Sequence, residues 1–87
     1  YKSYDVIFPN GEKVEFDRSG NWTELNCHKH GVPLPVIPAE ILNYVKSVYP
    51  DEKILKIERD KKEYEVLLSN RWEITFDNEL RVIDVDN

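Results

Sequence analysis

An internal repeat constrains the fold of this chain more than any other feature of its 87 residues. Residues 4–26 align without a gap with residues 64–86, at a constant offset of 60. The positions that are identical in both copies are Tyr4/Tyr64, Val6/Val66, Asn10/Asn70, Phe16/Phe76 and Asp17/Asp77. Because the spacing of the apolar residues agrees as well, we interpret the two segments as copies of one structural unit.

The first copy is predicted to be a β-hairpin followed by a third strand. Apolar and polar residues alternate on both sides of Pro9-Asn10-Gly11, a pattern typical of half-buried strands. A three-residue loop there pairs Tyr4 with Phe16 and keeps one face of the hairpin apolar, whereas a two-residue turn mixes the two faces. The segment Asp17-Arg18-Ser19-Gly20 suits a type I turn into a third strand at 21–27.

The second copy predicts the same arrangement with one unfavourable residue. Its hairpin loop is Ser69-Asn70-Arg71, with Leu68 opposite Trp72. Arg71 stands where the first copy has Gly11, a residue suited to the left-handed backbone of such a loop. A non-glycine residue in that conformation costs on the order of 1 kcal/mol. The second turn is therefore open to a different geometry.

A connector and a helix are predicted between the two copies. The segment 30–38 contains three prolines and one glycine, which indicates an extended connection. Pro38 suits the first helical position, where its missing N–H costs nothing, and Pro50 ends the helix. Residues 53–58 form one more strand before the second copy. The apolar residues of the helix fall on one face: Ile41, Leu42, Val45, Val48 and Tyr49.

These elements predict an α+β fold, a curved and largely antiparallel sheet of about seven strands with one helix packed on one face. We expect one domain in three parts. Residues 1–27 are the last three strands of repeat unit one, residues 28–37 are the connector, and residues 38–87 are a complete unit of one helix and four strands. The prediction is thus a tandem α-β(4) repeat whose first unit is truncated, its helix and first strand lying upstream or having been removed.

Composition excludes several classes of function. The chain has 12 basic and 17 acidic residues, a net charge of -5, and no basic face that could bind nucleic acid. No apolar run approaches the roughly 20 residues that a membrane helix needs, so we expect no membrane insertion. The single cysteine, Cys27, permits no internal disulfide. No catalytic constellation is present, and we expect neither enzyme activity nor a cofactor.

Motifs along most of the chain resemble a known family. They are FD-x-x-G-x-W at 16–22, VP-x-x-x-x-P-x-x-I-x-x-Y at 32–44 and YEV-x-L-x-N at 64–70. In combination they resemble the PepSY-like, β-lactamase-inhibitor-like domains of proteins secreted by gut Bacteroidetes. The resemblance implies a periplasmic or secreted protein of tandem α/β units with helices on one face of an antiparallel sheet. It supplies no catalytic residues. Family members typically carry glycine at the position of Arg71 and often at that of Leu80.

One candidate for a metal or small-ligand site is the segment that contains Cys27, His28 and His30. Thiolate and imidazole are good zinc ligands, and a strand places the two histidines on one side. No second Cys/His pair completes a set of four ligands. A polar strand end with a half-buried thiol is therefore the favoured interpretation, and a metal or small-ligand binder is the alternative function.

The repeated acids Asp17 and Asp77 could suggest a pair of catalytic carboxylates. Both follow a phenylalanine and both begin a turn. A carboxylate at that position accepts hydrogen bonds from backbone N–H groups two or more residues further on. We therefore interpret both residues as turn-forming.

The leading candidate for a binding surface is the face of the sheet opposite the helix. Apolar residues rimmed by acids are typical of protein-docking surfaces. Trp22 belongs to this face only if strand alternation, rather than the preceding loop, sets its direction. We expect a non-enzymatic exported module that binds a protein or peptide there or at a sheet edge, with homodimerisation as a variant. A second copy or a further segment of chain could instead cover this face. The residues assigned to it are Ile7, Trp22, Leu25, Leu67 and Val85.

Overall fold

Seven strands and one α-helix make up the computed structural model, which describes residues 4–87. A short 3-10 turn, Leu34–Val36, interrupts the connector that was predicted to be extended. The helix α1 begins one residue after Pro38 and ends one residue before Tyr49. The elements in chain order are β1 Tyr4–Ile7, β2 Lys13–Phe16, β3 Trp22–Asn26, α1 Ala39–Val48, β4 Ile54–Arg59, β5 Glu63–Leu68, β6 Glu73–Asp77 and β7 Val82–Asp86.

All seven strands form one open antiparallel sheet, and their spatial order follows the chain from β1 to β7. The helix connects β3 to β4, which are also antiparallel neighbours. Strands β1 and β7 are the two edges of the sheet. This confirms an α+β fold with a seven-stranded antiparallel sheet and one helix. We call β1–β3 the first meander and β5–β7 the second meander.

The register of the first hairpin is the predicted one. Tyr4 lies opposite Phe16 and Val6 opposite Val14. The loop closes through the Phe8 N–H, which donates to the Glu12 carbonyl at 2.8 Å. The apolar side chains of the hairpin therefore share one face, as the period-two alternation requires.

The second hairpin loop does not differ from the first, although an arginine replaces the glycine. Arg71 adopts a left-handed backbone with φ of 74°, and Gly11 has φ of 90°. The Arg71 N–H donates to the Leu68 carbonyl at 2.9 Å, and the Gly11 N–H makes the same bond to Phe8 at 2.9 Å. The hydrogen bonds of the loop therefore hold the arginine in a conformation that its side chain disfavours.

Each meander contains a one-residue bulge at the equivalent place. In the first meander Glu15 pairs with Glu24 and Phe16 pairs with Trp22, so Thr23 is the extra residue. In the second meander the same shift occurs between β6 and β7, where Ile83 is the extra residue. The two meanders therefore share both their strand register and the position of their bulge. Their origin by duplication of one α-β(4) unit stays a prediction.

The hydrophobic core lies between α1 and the sheet. Ile41 and Val45 of α1 are 0% and 3% exposed. The ring of Tyr44 packs edge-on against Phe76, with 5.7 Å between the ring centroids. Val48 is 50% exposed, so the prediction that it belongs to the apolar face of the helix is wrong. Tyr44, half-buried against the core, extends that face instead.

Strand pairing assigns the side chains to two faces, because directly opposite residues of antiparallel strands project to the same side. We call the face that α1 covers the helix-side face and the other the open face. One row on the helix-side face is Val6, Val14, Leu25, Ile57, Val66, Ile74 and Val85. The adjacent row on the open face is Asp5, Glu15, Glu24, Glu58, Glu65, Thr75 and Asp84.

Candidate functional site

Three of the residues assigned to the open face lie on the helix-side face instead. Leu25 is 8% exposed and belongs to the core. Val85 lies opposite Ile74 on the helix-side face of the edge strand β7 and is 37% exposed. Trp22 lies opposite Phe16 and packs against the core. The cause is the bulge. An extra residue in β3 and in β7 interrupts the alternation, so residues before and after it both project from the helix-side face.

The other two predicted residues, Ile7 and Leu67, do lie on the open face. Ile7 pairs with Lys13 and is 68% exposed. Leu67 is half-buried and lies between Lys56 on β4 and Glu73 on β6. These two apolar side chains stand four strands apart and are surrounded by charge. The open face is therefore a charged surface on which Ile7 and Leu67 are isolated from each other.

The acidic row is the most distinctive feature of the open face. Burial raises the pKa of Glu15, and the neighbouring charges of Asp5 and Glu24 raise it further. Burial likewise raises the pKa of Glu65, with Glu73 and Glu58 adding to the effect. Like charges directly opposite each other on a sheet destabilise it. The sequence predicted acids around apolar residues on this face, but not that these acids lie opposite one another in one row across the strands.

Basic residues offset only part of this charge. The Lys56 ammonium lies 3.3 Å from the Glu58 carboxylate, and the Lys13 ammonium lies 3.6 Å from Glu24. A shallow depression of about 220 Å³ follows the acidic row towards the β4–β5 turn. Its lining is Glu15, Thr23, Glu58, Arg59, Asp60, Glu63 and Glu65. The one cation in this lining is Arg59, and its guanidinium packs on the ring of Trp22.

Arg59 is held by Trp22. Its guanidinium carbon lies 3.8 Å from the centroid of the Trp22 ring, within the range of a cation–π contact. Its Nε–H also donates to the Trp22 carbonyl at 2.7 Å. The pair joins the first meander to β4. It therefore has a structural role that the sequence did not indicate.

The Cys-His segment does not converge on a metal site. Cys27 is 9% exposed, and burial raises the pKa of its thiol. His28 and His30 are exposed, and Nδ1 of His30 lies 3.6 Å from a Glu12 carboxylate oxygen. Within residues 4–87, no group of three or more His, Cys, Asp or Glu side chains is arranged to hold a metal ion.

The repeated aspartates form turns, as predicted. The Oδ1 atom of Asp17 accepts hydrogen bonds from the backbone N–H groups of Ser19 and Asn21, at 2.9 and 3.0 Å. Oδ1 of Asp77 accepts the same two bonds from Glu79 and Arg81, both at 2.9 Å. A catalytic role for this pair has no geometric support.

A second exposed surface lies on the helix-side face of the first meander. Tyr4, Val6 and Phe8 are 51%, 41% and 46% exposed. An apolar groove of about 620 Å³ separates this surface from the connector. Pro33 and Val36 line its far wall. The predicted register placed these side chains on one apolar face of the hairpin, and α1 leaves them exposed.

The fold and its two exposed surfaces define a small α+β domain whose candidate sites are faces of a sheet rather than an enclosed pocket. A model of the family described as "Putative beta-lactamase-inhibitor-like, PepSY-like" matches residues 2–84. The chain belongs to this family. It has no significant match among curated proteins.

Solved structures from two Bacteroides species are similar over nearly the whole chain. One, described as a "putative calcium-regulated periplasmic protein" from Bacteroides thetaiotaomicron, is 61% identical with a TM-score of 0.98, and the match covers 100% of this chain and 68% of that one. A "putative periplasmic protein" from Bacteroides vulgatus is 61% identical with a TM-score of 0.95, over 98% and 67% of the two chains. A third, from the same species and of unknown function, is 38% identical with a TM-score of 0.91, over 98% and 68%.

Proposed function

We propose that this chain is a non-enzymatic, exported binding module of the inhibitor-like type, which docks a basic protein surface on the open face of its sheet. Two findings support this class of function. The family is described by its likeness to an inhibitor, and similar structures are described as periplasmic. In the described part of the chain, no helix is long and apolar enough to cross a membrane.

The observation that carries the proposal is the acidic row across the open face. Its carboxylates lie opposite one another on successive strands, an arrangement that costs stability. Burial raises the pKa values of Glu15 and Glu65, and repulsion from the neighbouring acids raises them further. A positively charged partner removes the repulsion when it binds and is attracted before contact by the same charge. The open face therefore favours a partner rich in lysine and arginine.

Apolar contacts complete the proposed surface. Ile7 and Leu67 project from the same face as the acids. A few side chains commonly supply most of the binding energy of an interface. We propose that the basic groups of the partner align with the acidic row while its apolar side chains contact these two residues.

Strand addition at a sheet edge is the other mode of binding that we retain. Within residues 4–87, strands β1 and β7 each have a neighbouring strand on one side only. A free edge can pair with an extended peptide or with a second copy of the chain. The open-face mode is preferred because the acidic row gives it a specific chemistry.

Photo-crosslinking in the periplasm of the producing cell tests the proposal. A photoreactive amino acid replaces Leu67 on the open face, and in a matched control it replaces Val48, which is equally apolar and lies 50% exposed on α1. We expect one discrete protein adduct from position 67 and none from position 48. Replacing Glu15 and Glu65 by lysine should reduce the yield of the adduct by about tenfold, because the attraction is electrostatic.

Three outcomes would contradict the open-face mode. The first is equal adducts from both positions, and the second is no adduct from position 67. The third is a yield that the two charge reversals leave unchanged, which would mean that the acidic row takes no part. Adducts obtained only from an exposed β7 residue such as Ile83 would favour strand addition at the edge.

A further inference from the structure

A cleft lies where the connector, the second half of α1 and the start of β4 meet. Its volume is about 350 Å³, near the lower end of the range of roughly 300–1,000 Å³ that is typical of small-molecule sites. Its lining comes from residues 30–34 of the connector, from α1 and from the segment 50–54. In the part of the chain that the structure describes, this lining shares only Pro33 with the apolar groove and no residue with the depression on the open face.

The inner wall of this cleft is aliphatic and belongs to the core. Val32, Val45 and Ile54 line it and are 5%, 3% and 5% exposed. Leu42 of α1 also lines it and packs against the same core. The Val32 N–H donates to the Ile54 carbonyl at 2.7 Å, which ties the connector to β4. The wall is therefore formed without a ligand and offers apolar surface to an aliphatic chain.

The rim of the cleft is cationic, although the chain as a whole has a net charge of -5. Lys46 and Lys53 line the cleft and are exposed. Neither ammonium takes part in the ion pairs formed within residues 4–87. The one carboxylate in the described lining, Glu52, accepts a hydrogen bond from the Ser69 hydroxyl at 2.6 Å. The two lysines beside apolar surface therefore favour an anion that carries an apolar group.

Several backbone donors of the cleft are already used within the fold. The Gly31 N–H donates to the Cys27 carbonyl at 2.8 Å, and the Lys53 N–H donates to the Ser69 hydroxyl at 2.9 Å. Pro33 has no N–H to donate. A bound peptide would leave amide groups without partners here, at a cost in free energy. An alkyl carboxylate needs only the two ammonium groups.

We propose that this cleft, which we call the cationic cleft, binds a small aliphatic carboxylate. The alkyl chain lies against the aliphatic wall, and the carboxylate is held by the ammonium groups of Lys46 and Lys53. An ammonium is a compact point charge on a flexible stem, so one lysine from α1 and one from the residue before β4 can share a head group. The cleft lies on the helix side of the molecule, away from the acidic row. This inference therefore goes beyond the proposed function and does not rest on it.

Octanoate is the probe, and its titration into the 87-residue chain is followed by NMR of the backbone amides. We expect saturable shifts at residues 30–34, 42–46 and 52–54, with a Kd of about 1 mM or below, as for other ligands of this size. Butyrate should bind about tenfold more weakly, because its shorter chain buries fewer methylene groups. Octanol, which has the same chain without the charge, should also bind more weakly than octanoate.

Removal of charge tests the two lysines. The double variant Lys46→Gln/Lys53→Gln should weaken octanoate binding about fivefold, because each exposed ion pair contributes modestly. The matched control is Lys61→Gln/Lys62→Gln, which changes the net charge equally but lies in the β4–β5 turn. Distant exposed charges are screened by salt, so we expect the control to bind within about twofold of the parent.

A second pair of variants tests the aliphatic wall. Leu42→Glu places a negative charge in the wall and should abolish octanoate binding, whereas Asn43→Glu, at an exposed position of the same helix, should not. Thermal denaturation shows whether each variant is folded. The lysine variants change exposed side chains, and they decide the question if Leu42→Glu does not fold.

Octanoate binding that only the Lys46/Lys53 pair weakens, in a folded protein, supports the inference. Four outcomes overturn it: no saturation below about 10 mM octanoate, shifts confined to β1 and β2, equal losses in the two lysine double variants, and octanol binding as tight as octanoate. Tighter binding of acetyl-glycyl-leucine with a free carboxylate would overturn it in favour of a peptide C-terminus. The crosslink from position 67 is read independently, so failure of the cationic cleft and failure of the proposed function are distinguishable.

Discussion

At the scale of single residues, two side chains occupy backbone conformations that favour glycine. Arg71 and Leu80 have φ of 74° and 66°, whereas the equivalent Gly11 and Gly20 have 90° and 89°. A Cβ added at Gly11 would meet no atom within 4 Å, so the cost at this turn position is conformational rather than steric. Arg71 is exposed, whereas Leu80 is half-buried and packs against the core.

The two substitutions Arg71→Gly and Leu80→Gly should therefore have opposite effects. We expect Arg71→Gly to raise the free energy of unfolding by about 0.5–1 kcal/mol through relief of strain. This corresponds to a Tm higher by about 4 °C in a domain of this size. Leu80→Gly relieves similar strain but loses apolar burial, so we expect a net loss of about 1 kcal/mol. Thermal denaturation measures both, and a higher Tm for Leu80→Gly would show that its core contact contributes little.

At the scale of elements, carboxylates act differently in the strands and in the turns. On the open face, burial and neighbouring acids raise the pKa of Glu65. In the β6–β7 turn, the Arg81 N–H and then other donors of the turn hold the pKa of Asp77 below its usual value, against a smaller opposing effect of burial. The same chemical group therefore opposes folding in one place and favours it in the other.

Substitution by the neutral amide should show these opposite signs as a function of pH. The folded state binds a proton at Glu65 more tightly than the unfolded state does. The ionised group therefore lowers stability above its folded pKa, and this cost disappears below pH 4.5, the pKa of the group in the unfolded state. Glu65→Gln should raise stability at pH 7 by about 0.5 kcal/mol, with the gain fading as the pH falls towards 4.5.

Asp77→Asn provides the comparison of opposite sign. The contribution of the ionised Asp77 to stability is present above its unfolded pKa of 3.8, and it is lost as the pH falls through its lower folded pKa. The variant should be less stable than the parent at pH 7, with a deficit that disappears well below pH 3.8. Tm measured against pH tests both variants. Parallel curves for either variant and the parent would contradict the assignment for that residue.

At the scale of the whole molecule, burial is uneven. Among the residues that the structure describes, every buried apolar residue other than Leu25 and Cys27 lies in the range 32–76. Phe76 is 0% exposed, whereas its equivalent Phe16 is half-buried. The stability of the described chain should therefore reside mainly in α1, β4 and the second meander.

Equivalent truncations in the two meanders test this asymmetry. Phe76→Ala removes a fully buried ring, and we expect a loss of about 3–5 kcal/mol, a large part of the stability of a domain of this size. Phe16→Ala should cost about 1–2 kcal/mol, because its ring is only partly buried. Urea denaturation of the 87-residue chain measures both. Equal losses would show that the first meander is as well packed as the second.

The sequence by itself determined the features that depend on neighbouring residues. The alternation around Pro9-Asn10-Gly11 predicted the hairpin register, Asp17 and Asp77 predicted their turns, and Pro38 and Pro50 bounded the helix within a residue or two. These predictions succeeded because turn geometry and strand period are local properties of the chain.

Only the tertiary structure decided which face the side chains of the bulged strands β3 and β7 occupy. It also decided which side chains are buried. The bulges turned Trp22, Leu25 and Val85 towards the helix, because an extra residue in a strand is settled by pairing with its neighbour and not by its own sequence. Val6 and Val66 are the same residue in the same register, yet one is 41% exposed and the other 0%. Their environments differ because α1 lies over one meander and not over the other.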